Sequence, residues 1–69
     1  MLTAEKNPLT PREMEILVAL DQGFTTQAIA DSHYLALGTI RNYISSILSK
    51  TASQSRIEAI NVAKDHGWL

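Results

Sequence analysis

With 69 residues, 45% of them hydrophobic, and no cysteine, the chain has room for one small core and excludes disulfides and thiolate metal sites. Its longest apolar run, Ile16 to Leu20, is far too short to span a bilayer, and Met1 to Leu9 holds no signal-peptide core, so a cytoplasmic protein is expected. The net charge of −1 argues at first against a nucleic-acid partner.

Four helices are expected, near 10–22, 25–33, 38–51 and 55–65, with no sheet. The first is announced by Thr10 as N-cap, Pro11 at the first helical position and Glu13 completing a capping box. Leu9 and Met14 stand at the staple positions, and Met14, Leu17 and Val18, widened by Ile16 and Leu20, repeat at helical spacing. Gly23 suits the left-handed residue that ends it.

Thr25 caps a second, short helix, with Phe24 and Ile29 as its staple. Tyr34 to Leu37 makes a turn in which Leu35 is the expected core plug. The third helix carries Ile40, Ile44, Ile47 and Leu48 in an i, i+4, i+7, i+8 stripe, with Tyr43 at its edge. Asn42, Ser45, Ser46 and Ser49 then fall on the opposite side, bracketed by Arg41 and Lys50. A polar strip between cations suits base-edge readout between two phosphate rows, and it also suits a plain solvated face.

The fourth helix starts at Ser55, with Glu58 as capping-box partner. Ala59, Ile60, Ala63 and Ile57 are expected to face the core, and Glu58, Asn61, Val62 and Asp65 to face outward. Arg56 is expected to tie this helix down through Glu58 or Glu13. Gly67 ends it, with Trp68 and Leu69 folding back or hanging free. The charge is unevenly placed along these elements. Lys6 and Arg12 face five carboxylates in residues 1–32, whereas Arg41, Lys50, Arg56 and Lys64 meet only Glu58 in residues 33–64. The cations therefore lie in the half that holds the polar strip. A long helix, a short helix, a turn and a reading helix form a helix-turn-helix.

Four pieces in order, Leu9-Thr10-Pro11-Arg12-Glu13, Ile29-Ala30, Gly38 to Ile44 and Ser55-Arg56-Ile57-Glu58-Ala59, resemble the LuxR/FixJ-type (GerE-like) helix-turn-helix. The likeness covers residues 9–69 and is strongest to the DNA-binding output half of NarL/FixJ-class response regulators. It implies an all-α, four-helix LuxR-type domain whose recognition helix, about 38–51, reads the major groove of double-stranded DNA. By the same resemblance Arg41, Asn42 and Ser45 match base-reading positions. Thr25, Thr26, Thr39, Tyr43 and Lys50 match backbone contacts, and Ser46 on the same face joins them. The last helix matches the element through which several members dimerise, so Glu58, Asn61, Val62 and Asp65 are the expected interface. A receiver domain usually precedes such a domain, and residues 1–8 would be the remnant of its linker.

The implied partners are an inverted-repeat DNA and a second copy of the chain, weakly paired or monomeric without DNA. RNA polymerase is a candidate further partner, and no membrane contact is expected. No cofactor and no metal are expected, and no nucleophile–base–orienter set suggests an enzyme. His33 and His66 read as a core-edge and a surface residue. The alternative is a helical protein-interaction or dimerisation module. Four departures from the family pattern stand out. His33 replaces a usual leucine, Ala36 a usual serine cap, Thr51-Ala52 a usual Leu-Gly, and Gln27-Ala28 commonly charged residues. The missing cap at Ala36 alone costs about 1 kcal/mol.

Overall fold

The computed structural model describes residues 7–69, so most of the expected linker over 1–8 lies outside the described residues. Four helices succeed one another, α1 (Pro11–Asp21), α2 (Thr26–Ser32), α3 (Leu37–Lys50) and α4 (Arg56–Asp65), with no strand among the described residues. Each lies within a residue or so of its expected span, because the caps are where the side-chain chemistry put them. Thr10 Oγ1 accepts from the Glu13 N–H at 3.2 Å, and Glu13 Oε1 accepts from the Thr10 N–H at 2.8 Å, a complete capping box. Thr25 Oγ1 accepts from the Ala28 N–H at 3.0 Å, and Ser55 Oγ from the Glu58 N–H at 3.1 Å. The second expected box is displaced: the Glu58 carboxylate accepts from the Gln54 N–H at 2.6 Å, one residue before the cap. Ala36 caps α3 with no side-chain hydrogen bond.

All four helices close the same way, through one residue in the left-handed region and then an N–H that returns to the helix. The left-handed residues are Gly23 (φ 91), Tyr34 (φ 57), Ala52 (φ 52) and Gly67 (φ 76). The returning bonds run from Phe24 to Ala19, Leu35 to Ala30, Ser53 to Leu48 and Trp68 to Ala63, at 2.8–3.1 Å. Two of the closures use glycine and two do not. A Cβ in this region is disfavoured by roughly 1–2 kcal/mol. Ala52 is exposed, so nothing in its side chain offsets that penalty. Ala52→Gly is therefore expected to stabilise the domain by about 1 kcal/mol, a rise of several degrees in Tm for a chain this small, read by thermal and urea unfolding.

The core is Leu9, Ile16 and Leu17 against Ile29 and Ala30, Ile40, Ile44 and Ile47, and Ala59 and Ala63. It sits where α1 and α3 cross, with α2 and α4 packed around them. Leu35, Tyr43, Ile60 and Trp68 pack on its edge, so the chain end folds back. Three expectations are corrected. Ile57 is 72% exposed, because the side of α4 that meets the core is the Ala59–Ala63 seam and Ile57 projects well away from it. Val18 is exposed rather than part of the stripe, and Val62 is half-buried rather than fully outward, at the border of the seam.

Across the helices run a few polar ties. Lys64 meets Asp21 at 3.1 Å, joining α4 to the end of α1, though both side chains are too solvated for the pair to matter much. Arg12 Nη1 donates to His33 Nδ1 at 2.7 Å, joining α1 to the end of α2. Arginine has no acceptor, so in this hydrogen bond the Nδ1 lone pair accepts. His33 is thus half-buried at the edge of the core, as expected of it.

Candidate nucleic-acid interface

The hydrophobic stripe of α3 is seated by Ile40, Ile44 and Ile47, which are buried among the other three helices. That seating fixes the rotation of the helix and leaves Arg41, Asn42, Ser45 and Ser49 exposed on the far side. Thr39, Tyr43 and Ser46 are half-buried along its margins. The helix runs 14 residues, so at 1.5 Å per residue it is roughly 20 Å long, enough to lie along a major groove.

Two open grooves flank the strip, each about 260 Å³. One is lined by Glu13, Thr39, Asn42, Tyr43 and Ser46. The other is lined by Arg41, Ile44, Ser45, Leu48 and Arg56. Asn42 and Ser45 therefore line different grooves. Thr25 and Thr26 lie apart from both grooves at the start of α2, and the Thr25 hydroxyl already accepts as a cap while its own proton remains available. Glu58, Asn61, Val62 and Asp65 line neither groove; Glu58, Asn61 and Asp65 are exposed on α4, with Val62 beside them half-buried. His66 and Trp68 stack at 4.6 Å between ring centroids beyond the end of that helix.

The residue whose role the sequence reading underestimated is Glu13. It is only 3% exposed, yet charged, and its two oxygens collect three donors. Ser46 Oγ donates to Oε2 at 2.6 Å, Lys50 Nζ approaches Oε1 at 2.8 Å, and the Thr10 N–H donates to Oε1. Burial opposes the charge, but the hydrogen bonds from Lys50, Ser46 and Thr10, with the positive charge of Lys50, outweigh it. The carboxyl is held at about 2 against an ordinary 4.5. Glu13 thus pins the C-terminal half of α3 to α1 and reinforces the rotation set by the hydrophobic seating. A signal was present: Glu13 precedes Ile16 and Leu17 by three and four residues, so it shares their buried face, where a carboxylate needs partners.

The acids nearby bear differently on the two expected cations of this region. Lys50 reaches the expected flank but is ion-paired there, and the Ser46 hydroxyl proton is committed to Glu13. Arg56 pairs with neither Glu13 nor Glu58: the first is filled by its three donors, and the second is turned toward the Gln54 N–H. Arg56 is exposed on the wall of the second groove instead. No group of His, Asp and Glu able to hold a metal occurs among the described residues, and no described helix is long and apolar enough to cross a membrane.

Comparison with known proteins fits this architecture. Residues 7–63 match the GerE family, described as bacterial regulatory proteins of the luxR family. The transcriptional regulatory protein DesR of Bacillus subtilis (strain 168) is 48% identical over 68 residues, which cover 99% of this chain and 34% of that protein. Among solved structures, the response regulator ChrA of a heme-sensing two-component system superposes with a TM-score of 0.85 at 28% identity, over 93% of this chain and 32% of its own. VqmA of Vibrio cholera, in a complex with ligand and DNA, gives 0.82 at 31% identity, over 99% and 30%. The chain spans about a third of the length of the curated relatives it matches. With the four-helix order, the α2–turn–α3 unit and this match over most of its residues, the chain belongs to the luxR family of bacterial regulatory proteins and has that family's helix-turn-helix architecture.

Proposed function

We propose that α3 enters the major groove of duplex DNA and reads it with Arg41, Asn42 and Ser45. Thr25, Thr26, Thr39, Tyr43, Ser46 and Lys50 lie along the sugar–phosphate backbone in this reading. The observation that carries it is the exposed strip of α3, which offers amide, hydroxyl and guanidinium groups on a helix whose rotation is locked from behind. Asn42 can pair with adenine through both amide atoms, and Arg41 with guanine. The alternative, a protein-docking helix, is disfavoured because the strip holds no aromatic or aliphatic anchor. Binding to random-sequence duplex DNA at two salt concentrations separates the two: the DNA reader weakens steeply with salt, and the protein-docking module shows no binding. The regulator acts in the cytoplasm, with RNA polymerase as a further partner.

A single copy presents one reading helix and few cations, which supports only non-specific-grade affinity, a Kd of roughly 10⁻⁴–10⁻⁶ M at physiological salt. Two copies on an inverted repeat, with half-sites about one helical turn apart, make the second contact effectively intramolecular. The outer side of α4, Glu58, Asn61, Val62 and Asp65 with the outward Ile57 beside them, is the pairing surface in this proposal. Its apolar area is small and its rim acidic, which suits a dimer that forms on DNA and a monomer in free solution. Val62→Glu is expected to abolish cooperative binding to a two-half-site duplex while half-site binding and folding persist. Cooperativity unchanged in that titration would remove α4 from the interface.

A further inference from the structure

We propose that Arg56 is a phosphate-binding residue, and that it, rather than Lys50, supplies the stronger grip on the DNA backbone beside the reading helix. The inference rests on the reading of α3 as the DNA-facing helix and goes on to its electrostatics. On one flank of the strip, Lys50 is 2.8 Å from the Glu13 carboxylate, so a phosphate approaching there meets a compensated charge. On the other flank, Arg41 and Arg56 line a single open groove together with Ser45. Neither arginine takes part in an ion pair among the described residues, and no carboxylate lines that groove.

The position of Arg56 has no structural rationale of its own. It is the first residue of α4, where a cation opposes the helix dipole, and its side chain is exposed. The helix is capped without it, through Ser55 and Glu58. The apolar residues lining the groove are Ile44 and Leu48, surface along which an arginine stem can lie while its guanidinium stays in solvent. Two guanidiniums facing one groove next to a base-reading serine form a fork for one backbone phosphate diester, with Arg41 left free to share itself between that phosphate and a base.

The test is the salt dependence of binding to a short random-sequence duplex, measured for the wild-type chain, Arg56→Gln, Arg56→Lys and Lys50→Gln. Each phosphate neutralised adds about 0.9 to the slope of log K against log salt. Arg56→Gln is expected to remove about that much, so that between 50 and 200 mM salt the wild type loses roughly three- to fourfold more affinity than the variant. Arg56→Lys is expected to keep the wild-type slope, because the charge is retained, and Lys50→Gln to lower it by less than half as much as Arg56→Gln. The unfolding midpoint of Arg56→Gln is expected at or above that of the wild type, which separates lost contact from lost fold. A wild-type slope in Arg56→Gln, or a larger fall in Lys50→Gln, overturns the assignment while leaving the DNA-reading face intact. Wild-type protein that shows no salt-dependent binding overturns that reading and the assignment with it.

Discussion

Glu13→Ala is expected to destabilise the domain by about 3 kcal/mol, a large share of the total stability of a chain this short. The substitution leaves the Ser46 hydroxyl, the Thr10 N–H and the inner side of Lys50 without their common acceptor, and it also removes half of the α1 capping box. The same group gives the domain an acid-labile lock. Its carboxyl is depressed from 4.5 to about 2 in the fold, so its contribution is fully present above pH 4.5 and is lost as the pH falls toward 2. A shift of that size corresponds to roughly 3 kcal/mol at most. Urea unfolding of the wild type is therefore expected to weaken across that interval, and Glu13→Gln to be less stable at neutral pH and flatter below it. Parallel pH profiles for the two proteins would show that the lock lies elsewhere.

The second large effect concerns sequence preference. Asn42→Ala and Arg41→Ala are each expected to reduce discrimination between the preferred and a mismatched base by about 1–3 kcal/mol, or roughly five- to 150-fold. Both side chains are exposed and neither makes a hydrogen bond or ion pair to another described residue, so the substitutions should leave stability nearly unchanged. Competition titrations with single-base variants of a bound site measure the effect, and an unaltered ranking of those variants would remove the residue from the reading set. Asn42 has the sharper expectation, since its amide has both a donor and an acceptor to present to an adenine edge.

The helices and the exposed polar strip of α3 were legible in the sequence because local chemistry specifies them. Thr10, Thr25 and Ser55 are caps by virtue of their hydroxyls, and the Ile40–Ile44–Ile47 stripe of α3 leaves only one rotation that buries it. What stayed hidden depends on partners remote in sequence or on residues chosen against local preference. Glu13 reads locally as a cap, and only the 33- and 37-residue reach to Ser46 and Lys50 makes it the pin of α3. Tyr34, 95% exposed, and Ala52 occupy left-handed positions for which neither is the expected residue. They are held there by the returning Leu35 and Ser53 N–H groups, and Tyr34 also by the packing of Leu35 against the core. Ile57 looked like core because it is isoleucine, but a seam built on Ala59 and Ala63 draws α4 close and leaves Ile57 outside. Arg56 lost both of its expected acids to nearer donors, which no spacing rule reveals.

Whether the outward strip of α3 reads duplex DNA is decided by selecting bound sites from a random duplex library, in parallel for the wild-type chain and Asn42→Ala. The wild type is expected to recover an inverted repeat with half-sites about one helical turn apart. Asn42→Ala is expected to lose the base preference at one symmetric pair of positions while retaining the others. Recovery of the same motif by the Asn42→Ala protein, with the same preference at every position, would mean that the strip does not read the bases.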